Sequence, residues 1–187
     1  QDQGADIHAR NNKGGSPVHI AAQDGHLDVL KYLQGQGADI HAGDDDGITP
    51  MHLAAQGGHL DVLKYLQEQG ADIHAGGDDG KSPIHLAAQE GRLGVLKYLQ
   101  DQGADIHART DDGNTPMHMA AQDGHLDVVK YLQDQGVDIH AIGDDGFSAT
   151  HLAAQEGHLN VVKYLHSQGA DILARTNAGW WSPLLLA

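Results

Sequence analysis

The sequence predicts an all-α fold: a solenoid of short helix pairs stacked in a row. Three observations predict it. Gly-(Ala/Val)-Asp-Ile recurs at Gly4, Gly37, Gly70, Gly103, Gly136 and Gly169, each time after 33 residues, a period typical of repeat architectures. Ser16-Pro17-Val18-His19, Thr49-Pro50-Met51-His52, Ser82-Pro83-Ile84-His85 and Thr115-Pro116-Met117-His118 keep the same phase, and Ser148-Ala149-Thr150-His151 keeps it in degraded form. Glycine is abundant, at 25 of 187 residues, while aromatics are only 4%, which suits short elements punctuated by turns. Residues 1–187 read as one repeat domain. Complete units run 11–43, 44–76, 77–109, 110–142 and 143–175, residues 1–10 are the tail of an earlier unit, and 176–187 begin a later one.

Unit 44–76 justifies each element in turn. Asp44-Asp45-Asp46-Gly47 is a turn, with Gly supplying a conformation other residues resist. Thr49 is a good N-cap and Pro50 suits the first helical position, where its missing N–H is an orphan anyway. A short helix runs to about Gln56, and its paired Ala54 and Ala55 let another helix approach closely. Gly57-Gly58 break it. A second helix follows from His59 to about Gln69, with Leu60, Leu63 and Leu66 at helical spacing. Gly70 stops it, and Ala71–Ala75 extend toward the next turn, completing helix, turn, helix and projecting hairpin. The few large apolar side chains of one unit do not repay the entropy of ordering it. Stability must come from stacking on neighbours.

Composition narrows the function classes. With no cysteine, disulfides, thiol nucleophiles and cysteine zinc sites are excluded, and a reducing, cytoplasmic setting is expected. A net charge of -15 disfavours nucleic acid and anionic membrane, because phosphate repels such a field. No run of 18 apolar residues exists, so no membrane span is expected. The start at Gln1, without an initiator Met or signal-peptide pattern, reads as a piece of something longer.

The succession (Ser/Thr)-Pro-x-His-(Ile/Leu/Met)-Ala-Ala, Gly-His-Leu-Asp-Val-(Leu/Val)-Lys-Tyr-Leu and Gly-Ala-Asp-Ile resembles the ankyrin repeat family across the whole chain. The resemblance implies L-shaped units in a curved right-handed solenoid. Hairpin fingers project along one side and first helices line the concave face. It also implies protein–protein recognition through both, without catalytic chemistry or cofactor. The chain departs from the pattern at several points. His8, His41, His74, His107 and His140 stand where the family usually has Asn. Ala149-Thr150 replace Pro and an apolar residue, so the first helix of unit 143–175 is expected to be the weakest. Arg92 and Gly94 replace the usual His and acid, and Gly94 costs up to ~1 kcal/mol. Gly179-Trp180-Trp181-Ser182-Pro183-Leu184 is one residue longer than the pattern. Neither end carries a polar capping repeat.

Candidate sites follow from the columns. The 15 histidines suggest metal at first sight, yet copies of one position lie roughly 10 Å apart if helix packing sets the step. Zinc wants several ligands at about 2 Å, so no metal site is expected, and hydrogen bonding to backbone is the simpler role. Imidazoles stacked at His8, His41, His74, His107 and His140 titrate near neutrality and are the pH-sensing candidates. The family resemblance alone also implies hydroxylation of that column by a 2-oxoglutarate oxygenase. The Ser16/His19, Ser82/His85 and Ser148/His151 pairs look like nucleophile and base, but the hydroxyl is needed as a helix cap.

Finger carboxylates recur at Asp44-Asp45-Asp46, Asp78-Asp79, Asp111-Asp112 and Asp144-Asp145, forming an acidic ridge. By the resemblance, the first Asp of each pair ties the turn. Asp46, Asp79, Asp112 and Asp145 are then left for a basic protein partner, or simply form a solvated edge. The position after each finger glycine varies (Gly15, Ile48, Lys81, Asn114, Phe147, Trp180), and variation on a uniform background is where specificity is written. Phe147, Trp180 and Trp181 are candidate anchors of a binding hot spot, unless the tryptophans pack on a neighbouring repeat. The Tyr32 and Lys31 columns read as scaffold, with Asp28–Lys31 and Asp61–Lys64 as helical pairs. Gln23, Gln56, Gln89, Gln122 and Gln155 repeat along the first helices.

The expected function is a preorganised protein-binding scaffold, a monomer or part of a longer chain. The alternative is a spacer or spring inside a channel, toxin or effector. No enzyme is expected, because no residue constellation meets catalytic geometry.

Overall fold

The computed structural model describes residues 6–176 together with 182 and 183. Within them ten α-helices form helix-turn-helix pairs. The pairs are α1 (Pro17–Gln23) with α2 (Leu27–Gly35), α3 (Pro50–Gly57) with α4 (Leu60–Glu68), and α5 (Pro83–Gln89) with α6 (Leu93–Asp101). Then come α7 (Pro116–Gln122) with α8 (Leu126–Asp134) and α9 (Ala149–Gln155) with α10 (Leu159–Ser167). The first helices stack in sequence, α1 on α3 on α5 on α7 on α9, and each packs on its own second helix. The chain is an all-α repeat solenoid.

Local chemistry sets the boundaries. Ser16, Thr49, Ser82, Thr115 and Ser148 are extended N-caps, and proline follows in the first four units. The alanine pairs are at most 3% exposed, so first-helix backbones approach closely, as their size allows. Met51, Ile84, Met117, Leu63, Leu96 and Val129 fill the space between pairs. The second helices end in Schellman motifs: Gly70 is left-handed (φ 91°), its N–H reaches Gln67 O, and Ala71 N–H reaches Leu66 O, both at 2.9 Å. Gly94 leaves α6 at nine residues, as long as its equivalents.

The fingers differ in detail from projecting hairpins. Among the described residues strand pairing is reduced to one bridge, Ile142 with Ser148. Each finger is a closed turn bonded to the finger before it. Asp45, Asp78, Asp111 and Asp144 donate backbone N–H to the carbonyls of Lys13, Asp46, Asp79 and Asp112 at 2.9–3.1 Å. The ladder therefore runs across units, not within one finger. The first Asp of each pair joins neighbours instead of tying its own turn. Its carboxylate also lies over the preceding finger glycine: a Cβ on Gly14 would fall 2.3 Å from Asp45 Oδ1. The turn itself is tied by Asn11, Asp44 or Thr110, or by Asp79 and Asp145 where that position is glycine. Among the described residues no helix is long and apolar enough to cross a membrane.

Candidate functional site

The five histidines of the first helices sit at the junction between helix and finger. In the first unit, Ser16 N–H donates to His19 Nδ1 at 3.1 Å, and Ser16 Oγ lies 2.9 Å from the same nitrogen. A backbone N–H can only donate, so Nδ1 is the acceptor and the ring proton sits on Nε2. Nε2–H then donates to the next finger: His19 to Ile48 O and His52 to Lys81 O, both at 3.1 Å. His85, His118 and His151 reach the opposite flank instead, at Ala108, Ala141 and Ala174, at 3.0–3.1 Å. Every ring nitrogen is satisfied in the neutral state. Burial pushes the imidazoles of His19, His52, His85 and His118 below the ordinary histidine value, outweighing the carbonyls they face. His118 falls to about 4. The Ser–His pairs are thus capping boxes. Ser82 and His85 are buried and bonded to backbone, closed to any substrate.

The structure brings part of the sequence-predicted surface together. Ile48, Lys81, Asp46 and Asp79 line one groove of about 490 Å³ across the first three units. Its floor is Ile20, Leu53 and Leu86 on α1, α3 and α5, beside Gln23, Gln56 and Gln89. Lys13 and Asp44 complete the finger wall. Burial alone would raise the Asp79 carboxyl, but the Lys81 N–H and its ammonium, each 3.0 Å away, hold it below the usual carboxylate range. Asp46, Asp112 and Asp145 are exposed, while Asn114 and Phe147 are half-buried on later fingers, outside that groove. The Phe147 ring lies 5.6 Å from that of His151. Trp180 and Trp181 fall outside the described residues.

His8, His41, His74, His107 and His140 are exposed. Their backbone N–H groups are held by the Asp two residues earlier at 2.8–2.9 Å, which shapes the chain entering each finger. The buried histidines are the other column.

Two networks escaped the sequence reading. On the second helices, Lys31, Lys64, Lys97 and Lys130 stand 4.9–5.4 Å above the Tyr rings of the following unit. Among the described residues they do not pair with Asp28 or Asp61 of their own helix. Tyr65, Tyr98, Tyr131 and Tyr164 donate back to Gln34, Gln67, Gln100 and Gln133. Gln34, Gln67 and Gln100 donate onward to Gln69, Gln102 and Gln135 at 3.0–3.2 Å. The recurring Lys-Tyr-Leu-Gln was the available signal. On the fingers, Arg109 Nη1 bridges Gly113 O and Ile142 O at 2.9 and 3.0 Å.

Comparison with known families returns one description, ankyrin repeats, matched over three overlapping stretches: residues 2–76, 18–110 and 84–176. No curated protein matches the chain.

Proposed function

The chain belongs to the ankyrin repeat family, and from that premise we propose that its groove between fingers and first helices docks a protein partner. Such repeats are generally protein–protein interaction modules, and typically not catalytic. One observation carries the reading: the groove draws its wall from the variable positions Ile48 and Lys81 and from exposed Asp46 and Asp79, over an apolar floor. That combination suits a segment with apolar anchors and basic side chains. The five units and two partial ones provide the rigid frame, so little entropy is lost on binding. Asp112, Asn114, Asp145 and Phe147 extend the surface toward the C-terminal fingers; Trp180 and Trp181, outside the described residues, stay candidates from the sequence. Cross-linking in a native extract, followed by the same capture with Ile48→Asp and with Phe147→Ala/Trp180→Ala, tests this. A specific partner should be lost with one of them and its association should slow at high salt. A partner indifferent to all of these rejects the groove.

A second reading, a spacer within a longer protein, is favoured by the second-helix face. Its Lys–Tyr and Tyr–Gln contacts recur at four successive unit junctions, and the onward Gln–Gln bond at three of them, a regularity that structural continuity requires and selective recognition does not. Hydroxylation at His8, His41, His74, His107 and His140 rests on the family alone. A mass shift of one oxygen in native protein is its test.

A further inference from the structure

Four fingers carry the same tripeptide at the tip, Asp-Asp-Gly, at residues 45–47, 78–80, 111–113 and 144–146. The structure makes them unequal. In each finger a side chain ties one N–H, that of the variable residue after the glycine. Where the first finger position is polar, that residue supplies the tie: Asp44 Oδ1 accepts from Ile48 at 2.9 Å, and Thr110 Oγ1 from Asn114 at 3.2 Å. Where it is glycine, at Gly77 and Gly143, the tip aspartate supplies it instead. Asp79 accepts from Lys81 at 3.0 Å and Asp145 from Phe147 at 2.9 Å. The Lys81 ammonium holds Asp79 as well, at 3.0 Å. The exposed carboxyls of Asp46 and Asp112 are left out of the ties in their own turns. We propose that Asp46 and Asp112 are sites of spontaneous isoaspartate formation, and that the ties on Asp79 and Asp145 protect the same tripeptide from it.

The step needs only the chain and solvent water. The nitrogen of Gly47 or Gly113 attacks the neutral side-chain carboxyl at Cγ. A C–N bond forms, and the amide proton and the carboxyl hydroxyl leave as water. Water then reopens the cyclic imide. Entry at Cγ restores aspartate; entry at the main-chain carbonyl routes the chain through Cγ and leaves a free α-carboxylate. Nothing is oxidised or reduced. Glycine admits the attack because no Cβ crowds its nitrogen. In all four fingers the glycine N–H must first leave a carbonyl across the turn, at 2.9–3.1 Å, so that cost is shared. The reacting carboxyl makes the difference. At Asp46 and Asp112 the first-position tie spans the ends of the turn and can stay in place. At Asp79 and Asp145 the tie is the reacting carboxyl itself and must break first. Asp44 also holds Asp46 N–H at 3.0 Å, and Arg109 holds Gly113 O at 2.9 Å, but both bonds are to backbone. Asp24-Gly25 and Asp123-Gly124 are a different case: they lie at the ends of α1 and α7, where the next N–H, of His26 or His125, is bonded back into the helix at 2.8 Å. The product adds a methylene to the main chain at the tip. It also turns the carbonyls that receive Asp78 N–H and Asp144 N–H, at 2.9 and 3.0 Å, into carboxylates. Asp46 lines the groove, but the proposal stands without the groove reading.

Peptide mapping of the whole chain after warm storage at neutral pH counts isoaspartate at each tip, because the isomer keeps its mass but elutes apart and resists cleavage before aspartate. Asp46 and Asp112 should convert about fivefold faster than Asp79 and Asp145, and in denaturant the four should converge. Two substitutions exchange the ties. Gly77→Asp restores a first-position acceptor and should free Asp79 to convert; its Cβ comes nearest to Ile48 Cδ1, the flexible end of a side chain, at 2.9 Å. Asp44→Gly should hand the Ile48 N–H to Asp46 and slow its conversion. Equal rates at the four tips of the folded chain, or rates that ignore both exchanges, overturn the proposal. If Gly77→Asp does not fold, Asp44→Gly decides it alone, since fingers 77–81 and 143–147 already close on glycine at that position.

Discussion

Helices α7 and α9 each span seven residues, and each begins from a hydroxyl N-cap with a histidine in its first turn. Both histidines reach the next finger at 3.1 Å. Yet α7 is built from Pro116 and Met117, and α9 from Ala149 and Thr150. Met117 fills its site at 1% exposure, whereas Thr150, equally buried, places a hydroxyl there with no partner. The shape survived the loss of both motif residues. The cap, the alanine pair and the stacking neighbours fix the geometry of a first helix, while the proline and the apolar residue set how much free energy holds it. Sequence degradation in this array is expected to appear as lower stability, not as an altered fold.

Truncation should break the comparison most sharply. Met117→Ala is expected to cost about 2–5 kcal/mol, because it opens a cavity between stacked units. Thr150→Ala should cost under about 1 kcal/mol, since it discards an unsatisfied hydroxyl. Denaturant midpoints would show it, and equal losses at the two sites would refute the contrast. Acid attacks the better-built unit next. The folded value of His118, about 4, lies below the unfolded one. Its contribution is therefore complete above about pH 6.5 and is lost as pH falls toward 4. The loss amounts to about 3 kcal/mol and is measurable as a melting temperature that falls more steeply with acid in wild type than in His118→Gln, where only the buried His19, His52 and His85 remain to contribute. Thr150→Val should narrow the gap by about 1–2 kcal/mol, replacing the orphan hydroxyl with a methyl of the same shape. Hydrogen exchange in α9 would report it. Ala149→Pro should add about 0.4–1 kcal/mol, because Ser148 is already extended (ψ 168°) and proline suits the first helical position. A drop in stability there would show that α9 begins differently in solution.

Much of the fold was legible. The N-caps, the Ala pairs and the glycine stops each act within a few residues, so sequence alone located the four helix ends of unit 44–76 to within a residue. Unit 44–76 is representative: α4 was expected from His59 to Gln69 and spans Leu60–Glu68, with those two residues as caps. The site was legible only as columns. Ile48, Lys81, Asp46 and Asp79 stood out by variation or charge, but nothing in their spacing said that they share a groove with Ile20 and Leu53.

By itself the sequence determined the period, the order of elements and which columns are apolar, because these depend on backbone geometry and on contacts close along the chain. The tertiary structure alone decided which partner each polar side chain takes. It placed Lys31 over Tyr65 instead of beside Asp28, joined Gln34 to Gln69, and buried His52 while leaving His41 exposed. The physical reason lies in the repetition. When every unit carries the same residues, a partner in the same unit and its copy in the next are identical in sequence, and only the stacking of one unit on another separates them.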